Sequence, residues 1–148
     1  MVLGFGHDME ASMSFTPFLF FDGNCAEAID FYAEVLGADE VVKTAFGEAP
    51  AEAGLPAIAR IMYAHIRIGD EMLMASDIVP GQPYQPQASV HISHYAKDSK
   101  DGRGKFEQLA EGGEVLMEYQ ETFFAHGFGT CRDKFGTHWM IMIPKKET

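Results

Sequence analysis

The sequence predicts an α+β fold built from two copies of one unit, in which a strand and a helix are followed by three further strands. Short apolar runs bounded by Gly, Pro and Asp alternate with two segments of helical periodicity. The segments FYAEVLGADEVV (31–42) and KFEQLAEGGEVLM (105–117) each contain a helix end, a glycine and a strand that starts with Glu-Val. A repeat of this length indicates paired units that bury their faces against each other.

The first unit, about residues 15–78, opens with the strand PFLFF (17–21), a short aromatic run between a proline and an Asp-Gly turn. A helix is predicted next. Asn24 and Glu27 have the spacing of an N-terminal capping box, and apolar residues recur at helical spacing until Gly37 ends the helix.

Three strands complete the first unit. Residues 39–46 predict one strand, and the Gly and Pro content of residues 47–56 predicts a loop. Residues 58–77 predict two strands joined at Gly69-Asp70, because these residue types tolerate the positive φ of a hairpin turn.

The second unit, about residues 87–144, follows the break PGQPYQPQ (80–87) and repeats the same order of elements. We expect a single domain over residues 13–148, preceded by a disordered or non-native leader at residues 1–12. The predicted elements of the second unit are a strand at 88–95, a helix at about 98–110, a strand at 113–122 and a closing hairpin through Phe135-Gly136.

The composition excludes several classes of partner. The formal net charge of -11 would repel a phosphate backbone, so we expect no nucleic acid partner. No apolar run approaches the roughly 20 residues that span a bilayer, and we expect no membrane partner. The two cysteines, Cys25 and Cys131, lack disulfide or zinc spacing, which predicts reduced thiols and a cytoplasmic protein.

Two residues are candidates for catalysis without a cofactor. Cys25 lies in the first turn of the first helix, where unpaired backbone N–H groups and the helix dipole favour a thiolate nucleophile. Glu121 precedes Phe123-Phe124, and a carboxyl group beside aromatic rings is a candidate general acid or base. The alternative roles are packing for Cys25 and a solvated loop position for Glu121.

Four motifs in order carry a family resemblance: FLFFDGNCAEAIDFYAEVLGA, RIGDEMLMASD, EGGEVLMEYQETFF and FGTCRDKFGTHWMI. The chain resembles the PhnB-like branch of the vicinal-oxygen-chelate superfamily, which includes glyoxalase I, bleomycin-resistance proteins and extradiol dioxygenases. The resemblance implies paired βαβββ modules whose curved sheets enclose a cavity, and a homodimer formed by edge pairing or by module exchange. It implies a cavity lined by Phe18, Phe20, Met74, His91, Phe124, Trp139 and Met140.

The resemblance also implies four metal-ligand positions in the cavity, and three of them carry residues that bind metals poorly. These positions fall at Phe18, Met74 and Met140. The fourth falls at His91, with His94 or Ser93 as alternatives, and strand alternation directs His91 and Ser93 inward if Val90 and Ile92 pack on the helix. We therefore expect no cofactor, although a divalent metal at His91 remains an alternative.

The remaining histidines His65, His126 and His138 show no ligand spacing along the chain. The missing ligands favour a protein that binds a small-molecule ligand in its cavity. The alternative is a metal-dependent lyase, isomerase or dioxygenase-type enzyme of the same superfamily. A methyltransferase that uses S-adenosylmethionine is not expected, because no glycine-rich cofactor loop follows the first strand.

Overall fold

The computed structural model describes residues 15–50 and 58–146. The predicted leader and residues 51–56 of the predicted loop lie outside this range. The chain divides into two compact units between Tyr84 and Gln85. The elements of the first unit are β1 (Phe18–Phe21), α1 (Cys25–Leu36), β2 (Glu40–Ala45), a short 3₁₀ helix (Phe46–Glu48), β3 (Ile61–Ile68) and β4 (Glu71–Asp77).

The first unit is a four-stranded sheet with α1 against one face. The strand order is β1-β4-β3-β2, in which β1 is parallel to β4 and the other neighbours are antiparallel. Helix and sheet share a buried core because the apolar residues of α1 recur at helical spacing. The predicted hairpin is confirmed, with Gly69 at φ +57° in the turn between β3 and β4. The buried residues of the sheet include Leu19, Phe21, Ala64, Ile66 and Ala75.

The start of α1 differs from the predicted capping box. The side chain of Asn24 makes no capping hydrogen bond. The carboxylate of Asp77, at the end of β4, accepts hydrogen bonds from the backbone N–H of Gly23 at 2.8 Å and of Cys25 at 3.0 Å. The N–H of Cys25 at the helix start is thus hydrogen-bonded to a side chain 52 residues away. A local sequence pattern cannot reveal such a partner.

The second unit repeats the topology of the first. Its sheet has the order β5-β8-β7-β6, with β5 parallel to β8. Neither helix in the described parts of the two units has the length and hydrophobicity that crossing a bilayer requires. The elements are β5 (Ile92–Tyr95), α2 (Ser99–Ala110), β6 (Glu114–Gln120), β7 (Ala125–Arg132) and β8 (His138–Pro144).

Strand β5 starts four residues later than the sequence predicts. Ser89 has φ +61°, a left-handed conformation that interrupts an extended run. The Gln87 amide also donates a hydrogen bond to the carbonyl of Val90, which holds this segment as a turn. The other predicted strands and both predicted helices of the two units are present.

Tyr119 of β6 anchors α2 on the second sheet. Its ring is 6% exposed, and its hydroxyl donates to the carbonyl of Ser99 at 2.9 Å. Three glycines make room for this side chain. A Cβ at Gly127 would lie 2.0 Å from the Tyr119 hydroxyl, one at Gly102 2.5 Å from it, and one at Gly129 2.9 Å from the Tyr119 Cα.

This packing predicts that the substitution Gly127→Ala destabilises the protein. The added methyl group would overlap the Tyr119 hydroxyl, and we expect a loss of about 1–3 kcal/mol in the free energy of unfolding. Gly104→Ala in α2 is the matched control, because nothing lies within 4 Å of a Cβ there. Removing a glycine from a helix interior stabilises by up to about 1 kcal/mol. Urea unfolding measures the free energy of unfolding of both variants. Equal values for Gly127→Ala and Gly104→Ala would contradict the close packing around Tyr119.

Candidate functional site

The face of the first sheet that α1 does not cover carries aromatic and methionine side chains. We call it the α1-distal face. Strand alternation places Phe18 and Phe20 on this face, and Phe20 is 57% exposed whereas Phe21 is 2% exposed. Met74 lies beside Phe18, because the two residues pair between β4 and β1. Three of the predicted cavity-lining residues therefore share one surface.

A cavity of about 340 Å³ lies at one end of the α1-distal face. Phe20 and Ser76, which pair between β1 and β4, contribute to its wall. Its volume falls within the range of about 300–1,000 Å³ that is typical of small-molecule sites. The lining is mostly apolar. Its apolar residues are Phe20, Phe46, Met62, Ile78 and Val79, and its polar residues are Ser76, Asp77 and Gln82.

A chain of polar side chains crosses the same face. The hydroxyl of Tyr63 lies 2.8 Å from Nδ1 of His65, whose Nε2 lies 2.8 Å from Oε2 of Glu40. Arg67 donates to the same Glu40 oxygen at 3.2 Å. His65 pairs with Met74 across β3 and β4, so the chain runs beside the aromatic and methionine surface.

The protonation of this chain follows from its partners. Hydrogen bonds from His65 and then from Arg67 lower the pKa of Glu40, so its carboxylate accepts the proton on Nε2 of His65. Nδ1 then accepts a hydrogen bond from the hydroxyl of Tyr63. Burial raises the pKa of this hydroxyl. The arrangement can hold a polar group or pass a proton between a phenol and a carboxylate. Sequence analysis named His65 but missed Glu40, which strand pairing alone brings to it.

Strand pairing shows which residues lie beside the expected metal-ligand positions. Phe18 pairs with Met74 in the first sheet, and Ser93 pairs with Met140 in the second. The Ser93 hydroxyl donates to the Met140 sulfur at 3.6 Å. Ser93, one of the predicted alternatives, is thus the residue beside Met140.

These four positions do not fit a divalent ion. Phe18 carries no donor atom, Met74 and Met140 offer thioethers, and Ser93, the residue beside Met140, offers a hydroxyl. Over residues 15–50 and 58–146, no three His, Cys, Asp or Glu side chains are grouped so that they could hold a metal.

His91 and His94 lie on opposite sides of β5. Nε2 of His94 accepts a hydrogen bond from the Lys105 ammonium of α2 at 3.0 Å, and burial, followed by the Lys105 charge, lowers the pKa of His94 to about 4. His91 precedes β5 and is exposed on the other side, which we call the α2-distal face. The packing assumed for Val90 is wrong, because Val90 is 59% exposed.

The surroundings of Cys25 do not support the predicted thiolate. The residue is fully buried, and burial followed by the charge of Asp77 raises the pKa of the thiol to about 12. The backbone N–H of Cys25 donates to the Asp77 carboxylate, so an anion already occupies the helix start. A second anion there would be repelled.

Three other candidate residues lie in different environments. Glu121 is exposed, and its carboxylate pairs with Lys145 at 3.2 Å, which is a solvated position for the candidate acid or base. Phe124 lies between β6 and β7 and is 40% exposed, with its ring 5.1 Å from that of Phe128. Trp139 was predicted to line the cavity, but it is 1% exposed.

Trp139 faces α2 because of strand alternation. Ile143 lies on the α2 side of the sheet, where its Cδ1 would be 2.7 Å from a Cβ on Gly102, and Trp139 shares its face. The indole Nε1–H donates to the buried carboxylate of Asp133 at 2.8 Å. The assignment of Trp139 to the cavity is therefore corrected, since its neighbour Met140 points the other way.

Comparison with known proteins identifies the family. The model of the Glyoxalase/Bleomycin resistance protein/Dioxygenase superfamily matches residues 7–141. The chain belongs to this superfamily. The predicted superfamily and its paired βαβββ architecture are confirmed.

Individual relatives cover nearly the whole chain. Protein YjdN from Escherichia coli K12 is 38% identical over 91% of this chain and 98% of its own length. The crystal structure of protein PA1353 from Pseudomonas aeruginosa has a TM-score of 0.83 and 36% identity over 91% of this chain and all of its own. A Bacillus cereus structure described as a putative 3-demethylubiquinone-9 3-methyltransferase, PhnB protein, has a TM-score of 0.71 and 20% identity over 88% and 99%. That likeness shows the fold alone.

The burial of both cysteines predicts their reactivity. Cys25 and Cys131 are fully buried and unpaired, and burial raises the pKa of each thiol to about 12. At pH 8 we expect iodoacetamide to label the native protein at least about 100-fold more slowly than the chain unfolded in guanidinium. Mass spectrometry of timed samples measures both sites. Rapid labelling of Cys25 in the native protein would restore it as a nucleophile.

Proposed function

We propose that this protein binds a small, largely apolar molecule on the α1-distal face of its first unit. The cavity of about 340 Å³ beside Phe20 and Ser76 carries this proposal. Its lining contains two phenylalanines and Met62, and a thioether side chain adapts to ligands of varied shape. Superfamily membership supports the proposal but does not name the ligand.

The charges around the cavity favour a ligand without a formal charge. Asp77 belongs to the lining, but its carboxylate accepts hydrogen bonds from the backbone N–H groups of Gly23, Cys25 and Ile61. The polar groups offered to a ligand are therefore the Ser76 hydroxyl and the Gln82 amide. Such neutral groups orient a ligand and do not balance a charge on it.

The metal-dependent lyase, isomerase or dioxygenase alternative has less support. Its chemistry would need metal ligands at Phe18, Met74 and Met140, which are poor donors for the ions such enzymes use, together with His91 or its alternatives Ser93 and His94. The Tyr63, His65 and Glu40 chain gives the first unit a proton-accepting group that requires no metal.

We further propose that the protein acts in the cytoplasm as a homodimer. The unpaired cysteines support a reducing compartment. Strand β6 is at the edge of its sheet, and its residues Val115, Leu116 and Met117 are 41–54% exposed, which is an apolar edge suited to a partner chain. Light scattering at micromolar concentration is expected to give twice the chain mass, and a monomer would remove this proposal.

Ligand binding is testable with an uncharged fluorescent probe, N-phenyl-1-naphthylamine. We expect saturable fluorescence enhancement at one probe per chain. Val79→Phe fills part of the cavity and should weaken binding at least about tenfold, or about 1.4 kcal/mol. Val90→Phe is the matched control, because Val90 is exposed in the second unit.

Circular dichroism checks that both variants fold. Equal affinity of the Val79→Phe variant and the parent protein would place the probe outside this cavity and contradict the proposal. Loss of binding in the Val90→Phe variant alone would place the probe on the second unit.

A further inference from the structure

The hydrogen-bonded chain of Tyr63, His65 and Glu40 runs from the edge of the first sheet toward its interior. Glu40 lies on the edge strand β2, and its side chain is 46% exposed, whereas Tyr63 is 7% exposed. The buried ring of His65 joins the two through both of its nitrogens. The chain therefore begins at a solvated carboxylate and ends at a buried phenol on the α1-distal face.

The Tyr63 end of the chain lies beside the cavity of the first unit. The antiparallel register of β3 and β4, continued by one residue, brings Tyr63 opposite Ser76, which belongs to the cavity wall. Residues opposite each other on one face have Cβ atoms about 4.5–5.5 Å apart. The ring of Phe18 also connects the two, because its centroid lies 6.5 Å from that of Tyr63 and 5.0 Å from that of Phe20 in the wall.

We propose that this chain is a proton-accepting site for a substrate with an acidic O–H group, of the phenol class. The proposal rests on the binding of a small molecule in the cavity described above. A neutral phenol suits that cavity, because its ring is apolar and it carries no formal charge. Its single hydroxyl is the group that would contact Tyr63, and the proton transfer needs no metal.

The direction of the hydrogen bonds selects a substrate that donates. The ionised Glu40 accepts the proton on Nε2 of His65, so Nδ1 carries a lone pair and accepts the O–H of Tyr63. A phenol that has donated its only proton meets any further partner as an acceptor. A ligand that approaches the Tyr63 oxygen must therefore supply the proton, which favours a phenol over an ether or a ketone.

The proton transfer is balanced within these groups. The substrate O–H bond breaks, its electron pair stays on the substrate oxygen, and a new O–H bond forms at Tyr63. The original Tyr63 proton moves at the same time to Nδ1 of His65. The products are a substrate phenolate, a neutral tyrosine and an imidazolium that the Glu40 carboxylate stabilises. The reverse step returns the proton, so no other reactant is consumed.

Arg67 completes the charge balance of the site. Its guanidinium donates to the same Glu40 oxygen that His65 contacts, at 3.2 Å. The charges of Arg67 and Glu40 cancel while His65 is neutral, and the three groups carry one net positive charge after the transfer. This charge appears only when the substrate becomes an anion, and it offsets the cost of a phenolate in an apolar cavity.

Two matched ligands test the site on the whole protein. They are 4-nitrophenol, whose phenol and phenolate forms absorb at different wavelengths, and 4-nitroanisole, in which a methyl group replaces the acidic proton. Calorimetry measures both affinities, and absorbance measures the ionised fraction of bound 4-nitrophenol at a pH where the free compound is mostly neutral. We expect 4-nitrophenol to bind at least about tenfold more tightly and to show the phenolate absorbance when bound.

Three variants separate proton transfer from a merely structural chain. Tyr63→Phe removes the accepting oxygen and should bring the two affinities to within about twofold of each other. Glu40→Gln keeps a hydrogen-bond acceptor for the ring but removes the charge, and it should lower the ratio of bound phenolate to phenol at least about tenfold. Tyr95→Phe is the control, because Tyr95 is 63% exposed in the second unit, and it should change neither quantity.

The outcomes distinguish this proposal from the cavity on which it rests. Binding of N-phenyl-1-naphthylamine together with equal affinities for the two nitro compounds would overturn the proton-accepting site and leave the cavity proposal intact. Phenolate absorbance that persists in the Tyr63→Phe variant would overturn it as well. No binding of the naphthylamine or of either nitro compound would remove both proposals.

Discussion

The buried carboxylate of Asp77 holds the first unit together at the point where its chain segments meet. One oxygen accepts the N–H groups of Gly23 and Cys25, and the other accepts that of Ile61 at 2.9 Å. Asp77 is 3% exposed, so these three bonds replace the water that an ionised carboxylate would otherwise need. They fix the β1 to α1 turn and the start of β3 relative to the end of β4. The wall of the proposed ligand cavity is built on this arrangement.

The second unit uses a buried carboxylate in a related way. Asp133 follows β7 and accepts the backbone N–H groups of Phe135 and Thr137 and the indole N–H of Trp139. These bonds fix the tight turn between β7 and β8 to Trp139, the largest fully buried side chain. In both units the polar group that shapes a turn lies inside the protein, where each hydrogen bond is stronger than at the surface.

The sequence was informative where local physics decides the structure. Glycines at Gly37, Gly69 and Gly136 have positive φ and mark the predicted helix end and turns. The predicted cap at Asn24 was wrong, and the distant carboxylate of Asp77 accepts the N–H groups of Gly23 and Cys25 at this helix start instead. Periodicity alone could not decide which residue of β5 pairs with Met140, since that depends on the register between strands that are distant in the sequence.

The same limit explains why the sequence alone did not predict the candidate sites. A pattern of alternating residues shows that Trp139 and Met140 point in opposite directions, but it does not say which of them faces the helix. The Tyr63, His65 and Glu40 chain and the neighbouring histidines His91 and His138 each join residues that are distant in the sequence. Their chemistry becomes visible only when the strand pairing is known.

The two-residue period of these strands has an evolutionary consequence. Core residues such as Phe21 and Ile141 lie toward the helices, whereas Phe18 and Met140 point away from them. A substitution on the outward set leaves the helix-facing set in place, because neighbouring side chains on a strand do not share a face. Selection for stability and selection for chemistry therefore act on interleaved but separate positions. A lineage with this fold can exchange residues of the outward set while the helix-facing core is retained.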